Sequence, residues 1–493
     1  MTSLLLVLMF GGLALVLLDG NWRGGLLVTV LIGFLQDPLR KITPGQPSVM
    51  VGLVLIAFVL TLLVMYEKTN GTTSLRAMFW TVPQIQEWIP IYFLLIAVQS
   101  LNSLMRFGNL QLMGFGAAFY IAPAVGLWAG FLVGSDPKTL KRIIKIYLLM
   151  ASVYAVSAWL SFRGMSNPLL SEVGEGIKIT FEGFSAQGIS GLWRTSEIAA
   201  WHFAAAACFS LTLAVSADKK SANQLGLIVL AAGFTYLTIP TGRRKAVVLV
   251  LVFTAIYLLL FSRKASAASR ERVISSVLGG AAMAYGGYAL FLISSKGDSF
   301  DLYLNRAATA KDALLERFQG QGIGALQRAL ELSQGLGLGV GAGANLGNFK
   351  IDTFQRNSIQ GLSYSVEGGG GRIAAELGLP GLIIGGIIVV MILLSVRRNF
   401  RLLPWLEPEI SFLLLGLVSF SMANVLFFFS AAQVYSDPFI LILLSLGFGA
   451  FLAIPTLVAR QQAQWQLLEQ HRLQVLEQQR LQRLTQSPSE IVP

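Results

Sequence analysis

The stretch "TIPTGRRKAVVLVL" (residues 238–251) sets Arg243, Arg244 and Lys245 between two long apolar runs. The runs on either side, about 222–239 and 244–261, each approach the roughly 20 apolar residues that a membrane-spanning helix needs. The rest of the chain has the same character. Of its 493 residues, 54% are hydrophobic and 13% charged, whereas a soluble domain is about a quarter charged. This composition predicts an all-α polytopic membrane protein.

Working outward gives further candidate spans at 3–18, 48–66, 87–104, 114–133, 140–160 and 197–217. Beyond the cationic stretch come 273–293, 374–396, 409–430 and 436–458, for about twelve in all. The first run lacks a basic leader segment and reads as a retained helix. A shorter apolar piece, 26–36, reads as re-entrant or partly inserted. The connections then alternate sides. One set holds Lys68, Arg76, Lys138, Lys141, Arg142, Lys145, Lys219, Lys220, Arg263, Lys264, Arg270, Arg272, Arg397, Arg398 and Arg401, fifteen cations in short loops. The other holds ten: Arg23, Arg40, Lys41, Arg106, Arg163, Lys178, Arg194 and the trio Arg243–Lys245. Cytoplasmic loops are the Lys/Arg-rich ones, so the first set faces inward and both termini are cytoplasmic if 26–36 does not span. The net charge of +12 then reflects anionic lipid at the inner surface rather than nucleic acid.

The trio therefore lies outside, against the charge bias. A belt of snorkelling cations is one account. The other is an anion site, because a helix N-terminus adds its own positive dipole there. "GLWRTSEIAAWHFAAAACF" (191–209) supplies a second outer cluster: Arg194 before the helix, Thr195 or Ser196 as its cap, then Glu197, Trp201 and His202. Ionisable groups at membrane depth are costly and mark functional cavities by default. An interfacial aromatic belt with a Glu–Arg pair is the plainer alternative.

The longest connection, 294–373, also falls outside. Its apolar spacing (Leu304, Ala308, Ala313, Leu314, Phe318, then Leu326, Leu330, Leu332) predicts two amphipathic helices over the outer face. "GLGLGVGAGANLGNF" (335–349) has no strand before it, so a nucleotide fingerprint is rejected in favour of backbone that passes close to a ligand or another helix. The loop closes on Glu367, Arg372 and Glu376. The last two are four apart and suit a surface ion pair. One cysteine, two histidines and no acidic cluster exclude a disulfide framework and point to no metal and no cofactor. The chain divides into 1–190, 191–293 with the outer cations, the loop 294–373, 374–458, and a Gln-rich cytoplasmic tail 459–493 suited to a partner or the inner leaflet.

In the order of these features, residues 190–460 resemble the O-antigen ligase and polymerase superfamily of bacterial envelope proteins. The resemblance rests on "RTSEIAAWH", "TGRRKAVVLVL", one long outer loop, and "AELGLPGLIIGG" at its re-entry. It implies a lipid-linked-donor glycosyltransferase fold in the bacterial inner membrane, without a metal. Such a protein moves a glycan from a polyprenyl (undecaprenyl) diphosphate carrier to an acceptor hydroxyl on a glycan or lipid, in O-antigen or exopolysaccharide synthesis. By this resemblance Arg243 or Arg244 would hold the diphosphate, with Arg194 as a second contact; the outer clustering of charges itself adds Glu197, His202, Lys245 and Arg372 to the expected substrate site. The family's usual histidine near the end of the loop is missing here. Glu367 stands in roughly that place as the expected base, which favours polymerisation over ligation to a lipid core. The competing expectation is a lipid-linked oligosaccharide flippase, which would show repeats between its halves.

Overall fold

The computed structural model describes residues 2–82, 84–173, 178–181, 184–216, 222–262, 318–343, 368–430 and 432–485. The first predicted helix of the long loop, the predicted span 273–293 and Glu367 lie outside these residues. The described chain is helical: α1 (Thr2–Leu18), α2 (Trp22–Ile42), α3 (Leu53–Lys68), α4 (Gly71–Thr81), α5 (Ile85–Phe107), α6 (Leu110–Gly134) and α7 (Pro137–Phe162). A short antiparallel hairpin, β1 (Lys178–Phe181) and β2 (Phe184–Gln187), follows. Then come α8 (Ser196–Ser216), α9 (Ala222–Thr238), α10 (Arg244–Ser262), α11 (Gly324–Leu332), α12 (Gly369–Phe400), α13 (Pro408–Ser430), α14 (Pro438–Leu452) and α15 (Ile454–Thr485).

Among the described residues, eight helices are long and apolar enough to cross a membrane: α3 with its preceding turn, α5, α6, α7, α8, α10, α12 and α13. The bent pair α14–α15, turned by 43°, would make a ninth. The chain is therefore a multi-pass membrane protein. The expectation of about twelve spans also counted α1 and α9, which are apolar but shorter.

The centre of the bundle is α8, where every residue from Ile198 to Ser216 is buried. Alanine at 204–207 gives it a narrow surface, so neighbouring helices can approach closely and pack in the manner of membrane helix pairs. The same device joins α6 to α14. Gly126, Gly130 and Gly134 recur every four residues, and a Cβ on Gly130 would lie 2.5 Å from the Leu446 carbonyl oxygen.

Contacts between helix ends define two ends of the bundle. At the lower end Arg23 pairs with Asp136 at 2.7 Å, Lys141 pairs with Glu409, and Arg460 donates to the Ser135 carbonyl. At the upper end Lys41 donates to the carbonyls of Gly191 and Leu169. Arg23 and Lys41 are the two ends of one helix, so α2 runs the full height of the bundle. This corrects the reading of 26–36 as a partly inserted piece. The buried polar groups Thr29 and Gln36, with Asp37 just after them, lower the hydropathy of a segment that is nonetheless internal. Arg23 consequently belongs with the lower cations, and α1, packed antiparallel on α2 through Leu13 and Leu17, starts at the upper end. The start of α1 and the α15 helix thus lie at opposite ends, contrary to the expectation that depended on 26–36 not spanning.

The glycine-rich stretch passes between α5, α6 and α12. Gly335, Gly337, Gly339 and Gly341 all have positive φ, and a Cβ on Gly339 would meet the Ser103 backbone nitrogen at 2.5 Å. Its polar backbone is satisfied by a break in α12 at Gly378 (φ 69°). Leu338 N donates to Ala375 O at 2.8 Å, Leu379 N to Gly335 O at 2.8 Å, and Gln99 Nε2 to Leu336 O at 2.7 Å. Irregular backbone at membrane depth is tolerated only where protein surrounds it in this way. The expected close approach is to other helices.

Candidate functional site

Helix α8 begins at the upper end, and the residues at its start organise the site. Thr195 Oγ1 accepts from Ile198 N at 3.4 Å and so acts as the cap. Ser196 N donates to the carboxylate of the buried Glu172, a partner brought in from the chain after α7. With Thr195 as cap, the Ser196 hydroxyl is left to accept from Arg243, whose Nε and Nη2 both lie 3.3 Å away. Glu197 Oε1 stands 3.8 Å from Lys245 Nζ. The start of α10 is thereby fastened to the start of α8 by two cations.

Between them lies a small pocket of about 30 Å³, lined by Glu197, Trp201, Arg243 and Lys245 and walled by Ala246, Leu249, Phe427, Val434 and Tyr435. Asn424 fixes its floor: its Oδ1 accepts from Trp201 Nε1 at 2.7 Å and from Tyr435 Oη at 3.0 Å. One pocket thus combines two cations, a carboxylate, two oriented aromatic rings and an apolar wall. Ligand sites have this composition, mostly apolar with a few convergent polar groups.

Arg194 has a different environment. Its Nη1 lies 2.9 Å from Asp37 Oδ1 and 2.6 Å from Asp437 Oδ2, and its side chain is only 11% exposed. Burial works against its charge, but Asp37 and Asp437 outweigh it and hold the guanidinium above its ordinary range. Burial in turn raises Asp437, against the pull of Arg194. This triad ties α2, the entry to α8 and the N-cap of α14 together beneath the pocket.

His202, buried, stacks on Trp193 with centroids 3.9 Å apart and meets the Tyr147 hydroxyl at 2.8 Å through Nδ1. It stands in an aromatic box with Phe34, Trp201 and Phe439 rather than in the pocket. Arg372 is buried too. Its Nε donates to Glu376 Oε1 at 3.0 Å, Nη1 donates to Ser436 Oγ, and the guanidinium covers the Phe119 ring at 3.8 Å. The predicted surface ion pair is in fact internal, because Glu376 also accepts from Gly343 N at 3.0 Å and locks the glycine stretch in place. Arg244 begins α10 half-buried and does not line the pocket.

Sequence reading therefore named four of the residues that line the pocket, Glu197, Trp201, Arg243 and Lys245. It missed Asp37, Glu172, Asn424, Tyr435 and Asp437. Asp37 carried a readable signal, a lone acid inside an apolar run; its partner could be found only by folding the chain. Two arginines, 194 and 372, anchor the same turn, Val434–Ser436 and the adjoining Asp437, whose Val434 and Tyr435 face the pocket. Among the described residues no group of three or more His, Cys, Asp or Glu is placed to hold a metal ion. No protein-family model matches the chain, and no characterised protein matches it significantly.

Proposed function

We propose that the upper end of the bundle is extracytoplasmic and that its pocket transfers a glycan from a polyprenyl-diphosphate carrier to an acceptor hydroxyl, in the manner of polysaccharide polymerases and ligases. The observation that carries this reading is the meeting of Arg243 and Lys245 with Glu197 against an apolar wall. An amphipathic donor has matching parts: a diphosphate for the cations and an isoprenoid chain for Ala246, Leu249 and Phe427. Arginine suits the diphosphate through its planar fork of donors.

In the reaction, the acceptor oxygen bonds to the anomeric carbon and the bond from that carbon to the phosphate oxygen breaks. The diphosphate leaves with the electron pair, and the acceptor proton passes to a carboxylate. The cations stabilise the charge that grows on the leaving group, and donors placed in advance for such charge are worth about 10²–10³ in rate. Glu197 is the carboxylate in the pocket. Glu367 is the candidate from the chain just before α12, whose Gly369 packs on Phe428 beside the pocket wall.

One observation favours a second reading, a lipid-linked oligosaccharide transporter. The break in α12 beside irregular buried backbone is a feature of transporters with discontinuous helices. Proteoliposomes carrying the full chain and the lipid-linked glycan lost on gene deletion separate the two. Transferase activity makes new glycosidic bonds, and R243A should lower that rate by about 100-fold. Movement of intact donor across the bilayer without bond formation would replace the first reading with the second. E197Q and E367Q then identify the base: the variant that abolishes transfer while still binding donor names it.

A further inference from the structure

The lower end of the bundle carries a feature that the pocket does not use. Helix α4 is 11 residues long and carries in its last turn Trp80, which is 78% exposed. The next carbonyl, Thr81 O, accepts from the Arg398 guanidinium in the last turn of α12. Arg397 shares that turn and Arg401 caps it, both exposed. A 3-10 turn, Leu403–Trp405, follows, with Leu403 and Leu406 buried and Trp405 66% exposed. The platform is fixed from below: Asn399 Nδ2 donates to Phe451 O at 3.2 Å, and Ser411 Oγ to Leu403 O at 2.7 Å.

Arginines at a helix C-terminus offset its negative dipole, and that accounts for their place in the chain. It does not account for the two exposed indoles, Trp80 next to the bonded Thr81 and Trp405 four residues after Arg401. Tryptophan settles at the level of lipid headgroups, and this platform terminates a spanning helix. Glu407 is the acid that follows in sequence, also exposed, so the three guanidiniums leave a net positive strip.

We propose that Arg397, Arg398 and Arg401, between Trp80 and Trp405, bind the headgroup of an anionic phospholipid. The guanidiniums take the phosphate and the indoles lie against the glycerol and upper acyl chain. Each cation at such a surface favours anionic lipid by about fivefold, so the two arginines Arg397 and Arg401 give a local preference of about 25-fold.

The test uses the full chain in nanodiscs containing brominated phosphatidylglycerol or brominated phosphatidylcholine as a minor component, read by quenching of tryptophan fluorescence. W80F/W405F isolates the signal of the two indoles. The expected result is stronger quenching by brominated phosphatidylglycerol, a preference that R397Q/R401Q removes while thermal unfolding is unchanged. Arg398 is left intact because it holds Thr81. Equal quenching by the two lipids would overturn the proposal. Loss of the preference on adding soluble glycerol phosphate would overturn the lipid assignment in favour of a free phosphate ester.

Discussion

Arg194 and Arg243 come from different parts of the chain to the start of α8, yet their surroundings differ. Arg194 sits between Asp37 and Asp437 with its side chain 11% exposed, while Arg243 reaches the Ser196 hydroxyl and lines the pocket. Two carboxylates balance the first charge within the fold. The second is held by a neutral group, which positions a guanidinium without neutralising it. One cation is thus committed to architecture, and the other lines the pocket.

The largest expected effect breaks the first member of that comparison. R194A leaves two buried carboxylates without their counter-ion, and losing one partner of a buried pair costs about 3–5 kcal/mol. Thermal unfolding in detergent should show a large fall in Tm, partly restored in the fully neutral D37N/R194M/D437N. A wild-type Tm for R194A would mean that the triad is not structural. By contrast R243A, which forgoes bonds to one hydroxyl, should lose about 1 kcal/mol or less of stability while losing transfer activity.

Next in size is G339A, which touches neither cation. Its Cβ would enter the space of the Ser103 backbone at a residue with φ of 102°, and such backbone strain costs roughly 1–3 kcal/mol. A lowered Tm with donor binding intact would show that the glycine crossing supports the fold independently of the pocket. The smallest effect belongs to K245M. Its contact with Glu197 is long, at 3.8 Å, and partly exposed, so stability should change by about 0–1 kcal/mol. Donor affinity should fall several-fold in titrations at low ionic strength, and less at high salt. An unchanged affinity would leave Arg243 as the pocket's cationic contact.

Much of this arrangement could be read from the chain. The trio at 243–245 marked the start of α10, "RTSE" marked the start of α8, and the alternating glycines marked a close approach. The ion pair of Arg372 and Glu376 followed from their spacing on one helix. Their depth did not, because it depends on Gly343 and Ser436, 33 and 64 residues away. The span of α2 was hidden for a related reason. Thr29, Gln36 and Asp37 lower its hydropathy, but each is buried against protein rather than lipid, and a hydropathy scale assumes lipid on every side.

Local sequence determined which segments are helical, apolar and capped, since periodicity, glycine placement and side-chain polarity act over a few residues. It also set the cations at the mouths of the helices. Only the tertiary structure decided which of those cations are neutralised. Coulomb attraction and desolvation depend on distance and burial in space, and Asp37 and Asp437, 157 residues before and 243 residues after Arg194, come within 3 Å of its guanidinium only in the folded chain.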